Sequence, residues 1–244
     1  MANLYFSDTP IDESTTSVLL TGDEAHHAAN VARLREGESI EIADGRGWRA
    51  SGVAQAVTKS VVEVALAKPV FEPASGLEVT LVQALAKGDR DELAVQASTE
   101  LGVARVIPWQ AERSISRWVG DKRAGGVARW QTIAREAAKQ AVRSRIPVVT
   151  EPVAVEGIIE ACPREKVLVL DPRADQGIGE WARTNSDVTA VALVVGPEGG
   201  ISEGEVAALV SAGATPVRVG TEIMRTSTAG PATIAALNAL LGHW

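Results

Sequence analysis

Apolar and polar positions fall into short, regular runs through the first third of the chain. SVLLTG, SIEIADG, GWRASGVAQAV and SVVEVALAK are alternating or β-branched and punctuated by glycine, the pattern of half-buried strands. ADGRG, at 43–47, predicts a hairpin turn because Asp and Gly supply the backbone angles such turns need. Between the first two runs, DEAHHAANVARLREG predicts a helix ended by Gly37. FEPASG (71–76) then brings Pro, Ser and Gly together and predicts a boundary between a domain at 1–72 and another at 73–244.

Beyond the boundary the period changes. LEVTLVQAL, ARVIPW, KVLVLD, VTAVALVV and PVRV are strand-like, several of them continuously apolar. They alternate with helical stretches: DRDELAVQASTEL with Gly102 as its C-cap, about 125–145, the segment after Ser202, and about 229–241. Ser202 and Glu205 form Ser-x-x-Glu, a capping box that starts a helix at once. Alternating strands and helices predict an α/β fold whose parallel sheet is covered on both faces.

Charge adds a location. The 244 residues carry net −7, yet ten basic and only three acidic residues lie between Arg105 and Arg145. On a helical wheel Val127, Trp130, Ile133, Ala134, Ala137 and Ala141 share one side, and Arg129, Arg135, Lys139 and Arg143 gather on the other. That predicts a core stripe backed by a basic stripe suited to nucleic-acid phosphates, the alternative being a solvated face. The lone Cys162 excludes an internal disulfide. His26, His27 and His243 lack the spacing of a metal site, so none is expected. With no secretory signal and no membrane-length apolar run, a cytoplasmic protein is expected. Asp23-Glu24-Ala25-His26 spells a helicase box, but no Gly-x-x-x-x-Gly-Lys-[Ser/Thr] loop accompanies it.

The candidate chemistry lies in three loops. VALVVGPEGGISEGE (191–205) runs from a strand through glycines into a helix, without the lysine of a phosphate loop or the spacing of a dinucleotide fingerprint. PVRVG is followed by TEIMRTSTAG, where Arg225 stands beside small hydroxyl residues, and KVLVLDPRA places Asp171 and Arg173 at a third strand end. Ligands bind outside the carboxyl ends of parallel strands, so these loops predict a pocket lined mainly by backbone, better suited to an adenosyl group than to a triphosphate. Arg225, then Arg173, is the candidate for stabilising negative charge on a substrate.

GPEGGISEGEV, VG at 219–220 and IMRTSTA resemble the C-terminal signature of the bacterial 16S rRNA uridine-N3 methyltransferases, of the SPOUT superfamily. HHAANVARLREG, KGDRDELAVQASTELGV and RWQTIAREAAKQAVRSRIP resemble further motifs of that family, so the likeness covers nearly the whole chain. The resemblance implies a small PUA-like β-barrel domain followed by a SPOUT domain with a C-terminal trefoil knot. It implies S-adenosylmethionine as cofactor, held by Leu170, Gly196, Glu198, Gly199, Gly200, Val219, Gly220, Met224, Thr226 and Thr228. It further implies a homodimer and 16S rRNA as partner, in an assembled small ribosomal subunit, contacted by Arg33, Arg35 and Arg113 as well as the basic stripe. Two departures stand out: Ser227 replaces a glutamate common in relatives, and Ala2-Asn3 lie where many carry an arginine. The rival expectations are an RNA-binding protein without cofactor and a superfamily methyltransferase acting on tRNA.

Overall fold

The structure is a computed structural model that describes residues 4–74 and 76–244. Ala2, Asn3 and the Ser75 of the FEPASG boundary lie outside the described residues. The chain divides into two compact units, Met1–Ala74 with Ala138–Ile146, and Ser75–Ala137 with Pro147–Trp244.

The first unit is a sheet. It comprises β1 (Leu4–Phe6), β2 (Ser17–Thr21), α1 (Gly22–His26), β3 (Ser39–Ala43), β4 (Trp48–Val57), β5 (Val61–Leu66) and β6 (Val70–Phe71). The strand order is β1-β3-β4-β5-β2, with β6 also on β4; β1 pairs parallel and the remaining pairs are antiparallel. Alternation buries Val18, Leu20, Ile40, Ile42, Val62 and Val64 together with Tyr5. The ADGRG turn joins β3 to β4, with the Asp44 carboxylate accepting from the backbone N–H groups of Arg46 (2.7 Å) and Trp48 (3.1 Å). The predicted first helix is shorter than its pattern: after His26 it widens into a π-helical turn, His27–Val31, and Arg33 turns left-handed at φ 56°.

The second unit holds β7 (Glu78–Ala84), α2 (Arg90–Glu100), β8 (Arg105–Trp109), α3 (Asp121–Gln140, whose last turn belongs to the first unit), β9 (Val148–Val149), α4 (Ile158–Ala161), β10 (Lys166–Leu170), α5 (Ile178–Thr184), β11 (Ala190–Val195), α6 (Glu203–Ser211), β12 (Thr215–Val217) and α7 (Thr226–Leu240). Every pair in its sheet is parallel, in the order β12-β10-β11-β7-β8-β9. Leu81, Leu168 and Leu193 pack on one face with residues of α2, α3, α5 and α7, while Val82, Val169 and Val194 pack on the other with Ile158 and Leu209. The continuous apolar runs follow from this, since strands buried on both faces have no polar side to show. The late strand β11 lies centrally, between β7 and β10, so chain segments leave the sheet there in opposite directions and open a crevice.

Candidate active site

The strand ends that open this crevice are built with little slack. Ser202 caps α6 by accepting from the Glu205 N–H, while Glu205 accepts from the Ser202 N–H at 2.9 Å, the capping box expected from the sequence. The other oxygen of Glu205 accepts from the Glu112 N–H at 2.7 Å, tying the loop after β8 to the same helix start. Gly200 is left-handed (φ 71°) and its N–H donates to Pro197 O at 2.8 Å, closing the Gly-Pro-Glu-Gly-Gly turn. A Cβ on Gly196 would stand 2.7 Å from the Ile201 side chain, so glycine is what lets the turn fold back on itself.

These loops surround a cleft of about 610 Å³. Its apolar wall is Leu170, Val195, Ile201, Ile223, Met224 and Ala229; Gly196, Pro197, Glu198 and Gly200 contribute the glycine turn, and Arg90, Arg113, Asp171, Arg173 and Arg225 the charge. Val219 and Gly220 line a smaller adjoining recess of about 70 Å³ with Leu170 and Met224. Eight of the ten predicted cofactor residues thus converge here. Gly199 and Thr228 do not line either space. A Cβ at Gly199 would meet Arg113 Cβ at 3.1 Å, so Gly199→Val would disturb that packing rather than fill the cleft.

The charged groups divide into committed and uncommitted. Arg173 is committed: its Nε and Nη2 donate to the two Asp171 oxygens at 3.0 and 2.9 Å, and Nη1 stands 3.5 Å from Glu203. Burial alone would push the Asp171 carboxyl up, but the hydrogen bonds and charge of Arg173 outweigh it and hold it below the usual range. Arg173 is therefore a poor second candidate for stabilising a substrate anion, because two carboxylates already neutralise it. Glu198 accepts from Arg90 Nη1 at 2.8 Å and from the Lys87 N–H at 3.1 Å, which bridges the glycine turn to the start of α2. Arg113 is exposed and donates to Gly199 O at 3.0 Å. Arg225 precedes α7 at its N-cap, is exposed, and makes no side-chain hydrogen bond or ion pair among the described residues.

The structure gives the members of the basic stripe of α3 different surroundings. Lys139 is half-buried, its ammonium 2.8 Å from the buried Glu24 carboxylate and 5.1 Å above the Tyr5 ring. Arg143 lies beyond the helix, which stops at Gln140 just before a left-handed Val142, and burial pushes its guanidinium down to about 10. Arg135 is half-buried, and Arg129 is exposed but paired with Glu92 on α2 at 2.6 Å. The wheel found the core correctly, with Trp130, Ala134 and Ala137 buried, but could not see carboxylates arriving from distant sequence. Arg33 and Arg35 are exposed in the first unit. Sequence reasoning passed over Arg90 and the fully buried Gln83; a polar residue inside the apolar run LEVTLVQAL was the available signal for the latter.

Among the described residues no cluster of His, Cys, Asp or Glu forms a metal cradle, and no helix is long and apolar enough to cross a membrane. The cleft can hold a molecule with a flat, weakly polar part against its apolar wall and a charged part near Glu198, Asp171 and the arginines.

Comparison with known proteins identifies the family. Residues 73–238 match the family model described as an RNA methyltransferase domain, and residues 20–63 that of an RNA methyltransferase PUA domain. The chain is 37% identical to the ribosomal RNA small subunit methyltransferase E of Mycobacterium bovis, over all of this chain and 94% of that one. It is 30% identical to the Bacillus subtilis protein of the same name, covering 93% of this chain and 91% of that one. Among solved structures, the Neisseria gonorrhoeae ribosomal RNA small subunit methyltransferase E bound to S-adenosyl methionine superposes with TM-score 0.89 at 28% identity, covering 98% of each chain. A putative methyltransferase from Legionella pneumophila in complex with S-adenosylmethionine gives 0.87 at 26% identity, again covering 98% of each. The curled sheet of the first unit is accordingly a PUA-like half-barrel, and the chain belongs to the ribosomal RNA small subunit methyltransferase E family of RNA methyltransferases.

Proposed function

We propose that this chain transfers a methyl group from S-adenosylmethionine to N3 of a specific uridine in 16S rRNA. The observation that carries the reading is the position of Arg225, an uncommitted guanidinium at the edge of a cleft whose other arginine beside the strand ends, Arg173, is neutralised. The cleft suits the cofactor: Leu170, Ile201 and Met224 offer an apolar wall for an adenine ring, and the turn at Gly196–Gly200 brings backbone close without side-chain bulk. When bound, S-adenosylmethionine supplies an electrophilic methyl group.

The chain's own residues do the remainder. The glycine turn and the strand ends orient both partners, which lowers the barrier by replacing free encounter with a fixed approach. Uracil N3 must lose its proton before or during transfer, and the resulting negative charge spreads onto the flanking carbonyl oxygens. Arg225 offers a planar fork of donors to those oxygens, stabilising charge that develops along the reaction. None of the residues lining the cleft is a histidine, so the N3 proton passes to solvent water rather than to an imidazole, and the methyl's departure from sulfur leaves S-adenosylhomocysteine. Exposed Arg33, Arg35 and Arg113 supply phosphate contacts to the RNA. A homodimer with a C-terminal trefoil knot, working in the cytoplasm on an assembled small subunit, belongs to the same proposal.

The test is mass spectrometry of nucleosides from 16S rRNA and from intact small subunits incubated with the protein and S-adenosylmethionine. A new 3-methyluridine is expected, with assembled subunits the better substrate. A 2′-O-methylated nucleoside, or no product from either substrate, would overturn the assignment. Light scattering near 25.6 kDa, the mass of one chain, would contradict the dimer.

A further inference from the structure

We propose that Gln83 is a positioning residue for the transfer: its buried amide fixes the first turn of α7 against the end of β11, and thereby sets where Arg225 stands over the cleft. The inference rests on the function proposed above.

Gln83, at the carboxyl end of β7, is fully buried and does not line the cleft. Its Nε2 lies 3.2 Å from the Ala84 carbonyl oxygen and 2.9 Å from Thr226 Oγ1. A carbonyl can only accept, so the amide is oriented with its NH₂ toward both oxygens. The Thr226 hydroxyl therefore receives one of those protons and directs its own to Gly196 O, 2.7 Å away. The result is a one-way relay from a strand amide, through a helix hydroxyl, to the first carbonyl of the glycine turn. The preceding carbonyl, Val195 O, is held separately by the Trp109 indole N–H at 2.9 Å. Two consecutive carbonyls where β11 leaves the sheet are thus fixed by side chains of neighbouring elements.

Arg225 is attached directly to this relay. It immediately precedes Thr226, and its carbonyl accepts from the Thr228 N–H (2.8 Å) and the Ala229 N–H (3.0 Å) of the same helical turn. Because its guanidinium has no side-chain partner among the described residues, the backbone that carries it is what aims it. Stability alone does not explain an amide here. Gln83 Oε1 is buried without a hydrogen-bond partner among the described residues, a cost that an apolar side chain of similar length would avoid. What the amide adds is direction.

A double-mutant cycle tests this. Single-turnover methylation rates and S-adenosylmethionine affinities are measured for the wild type, Gln83→Met, Arg225→Ala and the double variant, with Thr226→Ser and Thr226→Val as a second pair. The expected result is a rate loss of about tenfold for Gln83→Met, the factor one net hydrogen bond represents, with cofactor affinity held within about twofold. In the Arg225→Ala background the Gln83→Met change should have no further effect, since a residue acting through Arg225 has nothing left to position. Thr226→Ser, which keeps the hydroxyl, should lose clearly less rate than Thr226→Val, which breaks the relay as Gln83→Met does. Rate losses that simply multiply in the double variant, or equal damage from Ser and Val, would overturn the inference. If Gln83→Met does not fold, Thr226→Val combined with Arg225→Ala makes the same cycle. A wild-type protein that binds cofactor and methylates while the folded Gln83→Met variant matches its rate sinks this inference alone; a wild type that does neither sinks the proposed function with it.

Discussion

The two ends of the parallel sheet use the same residue type in opposite ways. At the amino end, Arg105 of β8 spends every arm: Nε donates to Thr80 Oγ1 at 3.3 Å, Nη1 to Ala161 O at 2.8 Å, and Nη2 pairs with the buried Glu165. Cys162 sits against it, and burial pushes the thiol up to about 11, leaving it an unreactive packing group at neutral pH. At the carboxyl end, Arg225 spends none of its arms on the described residues. Both arginines stand at strand or helix termini, so position does not separate them. The inventory of partners does. An arginine with a partner on each of its three nitrogens holds the fold, and one whose donors are unmet beside a cleft is free to meet a ligand.

Breaking each end should therefore fail in a different currency. Arg225→Ala should lower the single-turnover rate by about 10²–10³, the range for losing one donor to a developing anion, while melting temperature stays put. Arg225→Lys should recover part, and higher pH should rescue the alanine variant more than the wild type because solvent then supplies more deprotonated uracil. Arg105→Ala should instead cost roughly 2–3 kcal/mol of stability, read by denaturant unfolding, because it strands a Glu165 side chain only 6% exposed. That is less than a fully buried pair would lose, since the Arg105 side chain is 29% exposed, and cofactor affinity in the folded variant should be unchanged.

Acid should sharpen the contrast more gently. Asp171 and Glu198 are both held below their ordinary values: burial pushes each up, but Arg173 for the one, and backbone N–H groups with Arg90 for the other, pull harder. A carboxyl that binds its proton less tightly when folded gives stability that is complete above its unfolded value and is lost as pH falls through the lowered one. Melting temperature should thus fall as pH drops below about 4.5, and Glu198→Gln should flatten that fall. The smallest effect is expected at Arg129→Glu. Its exposed pair with Glu92 should matter little for stability, while RNA affinity and its salt dependence should both weaken.

Much of this architecture could be read from residue order. Strands of the second unit announced themselves because burial on both faces leaves continuous apolar runs, and the Ser202–Glu205 capping box formed as spaced. The glycine turn and the placing of Arg225 beside it are legible because what marks them is local: a left-handed Gly200, a Cβ-free Gly196, an arginine among small hydroxyls. What escaped was either short or distant. β1, β6 and β9 have two or three residues, too few to establish a period, and α5 has seven. The partner that Lys139 meets, Glu24, lies more than a hundred positions away and cannot be read from the helix that carries the lysine. Gln83 was hidden likewise, since its partner Thr226 lies on the last helix.

The last-turn residues of α3 also bear on the order in which the protein can be made. The first unit needs Ala138–Ile146, yet its other part ends at Ala74. At a synthesis rate of about 5–20 residues per second, roughly 4–14 s separate those two points on the growing chain. During that interval Glu24 lacks Lys139, and Leu4 and Phe6 lack Ala138 and Ile146, the residues with which they form a small apolar cluster. The half-barrel thus begins earlier in the chain than the parallel sheet but cannot be complete before it is under way, and until the middle of the chain arrives its nascent form leaves Leu4 and Phe6 without the residues that cover them.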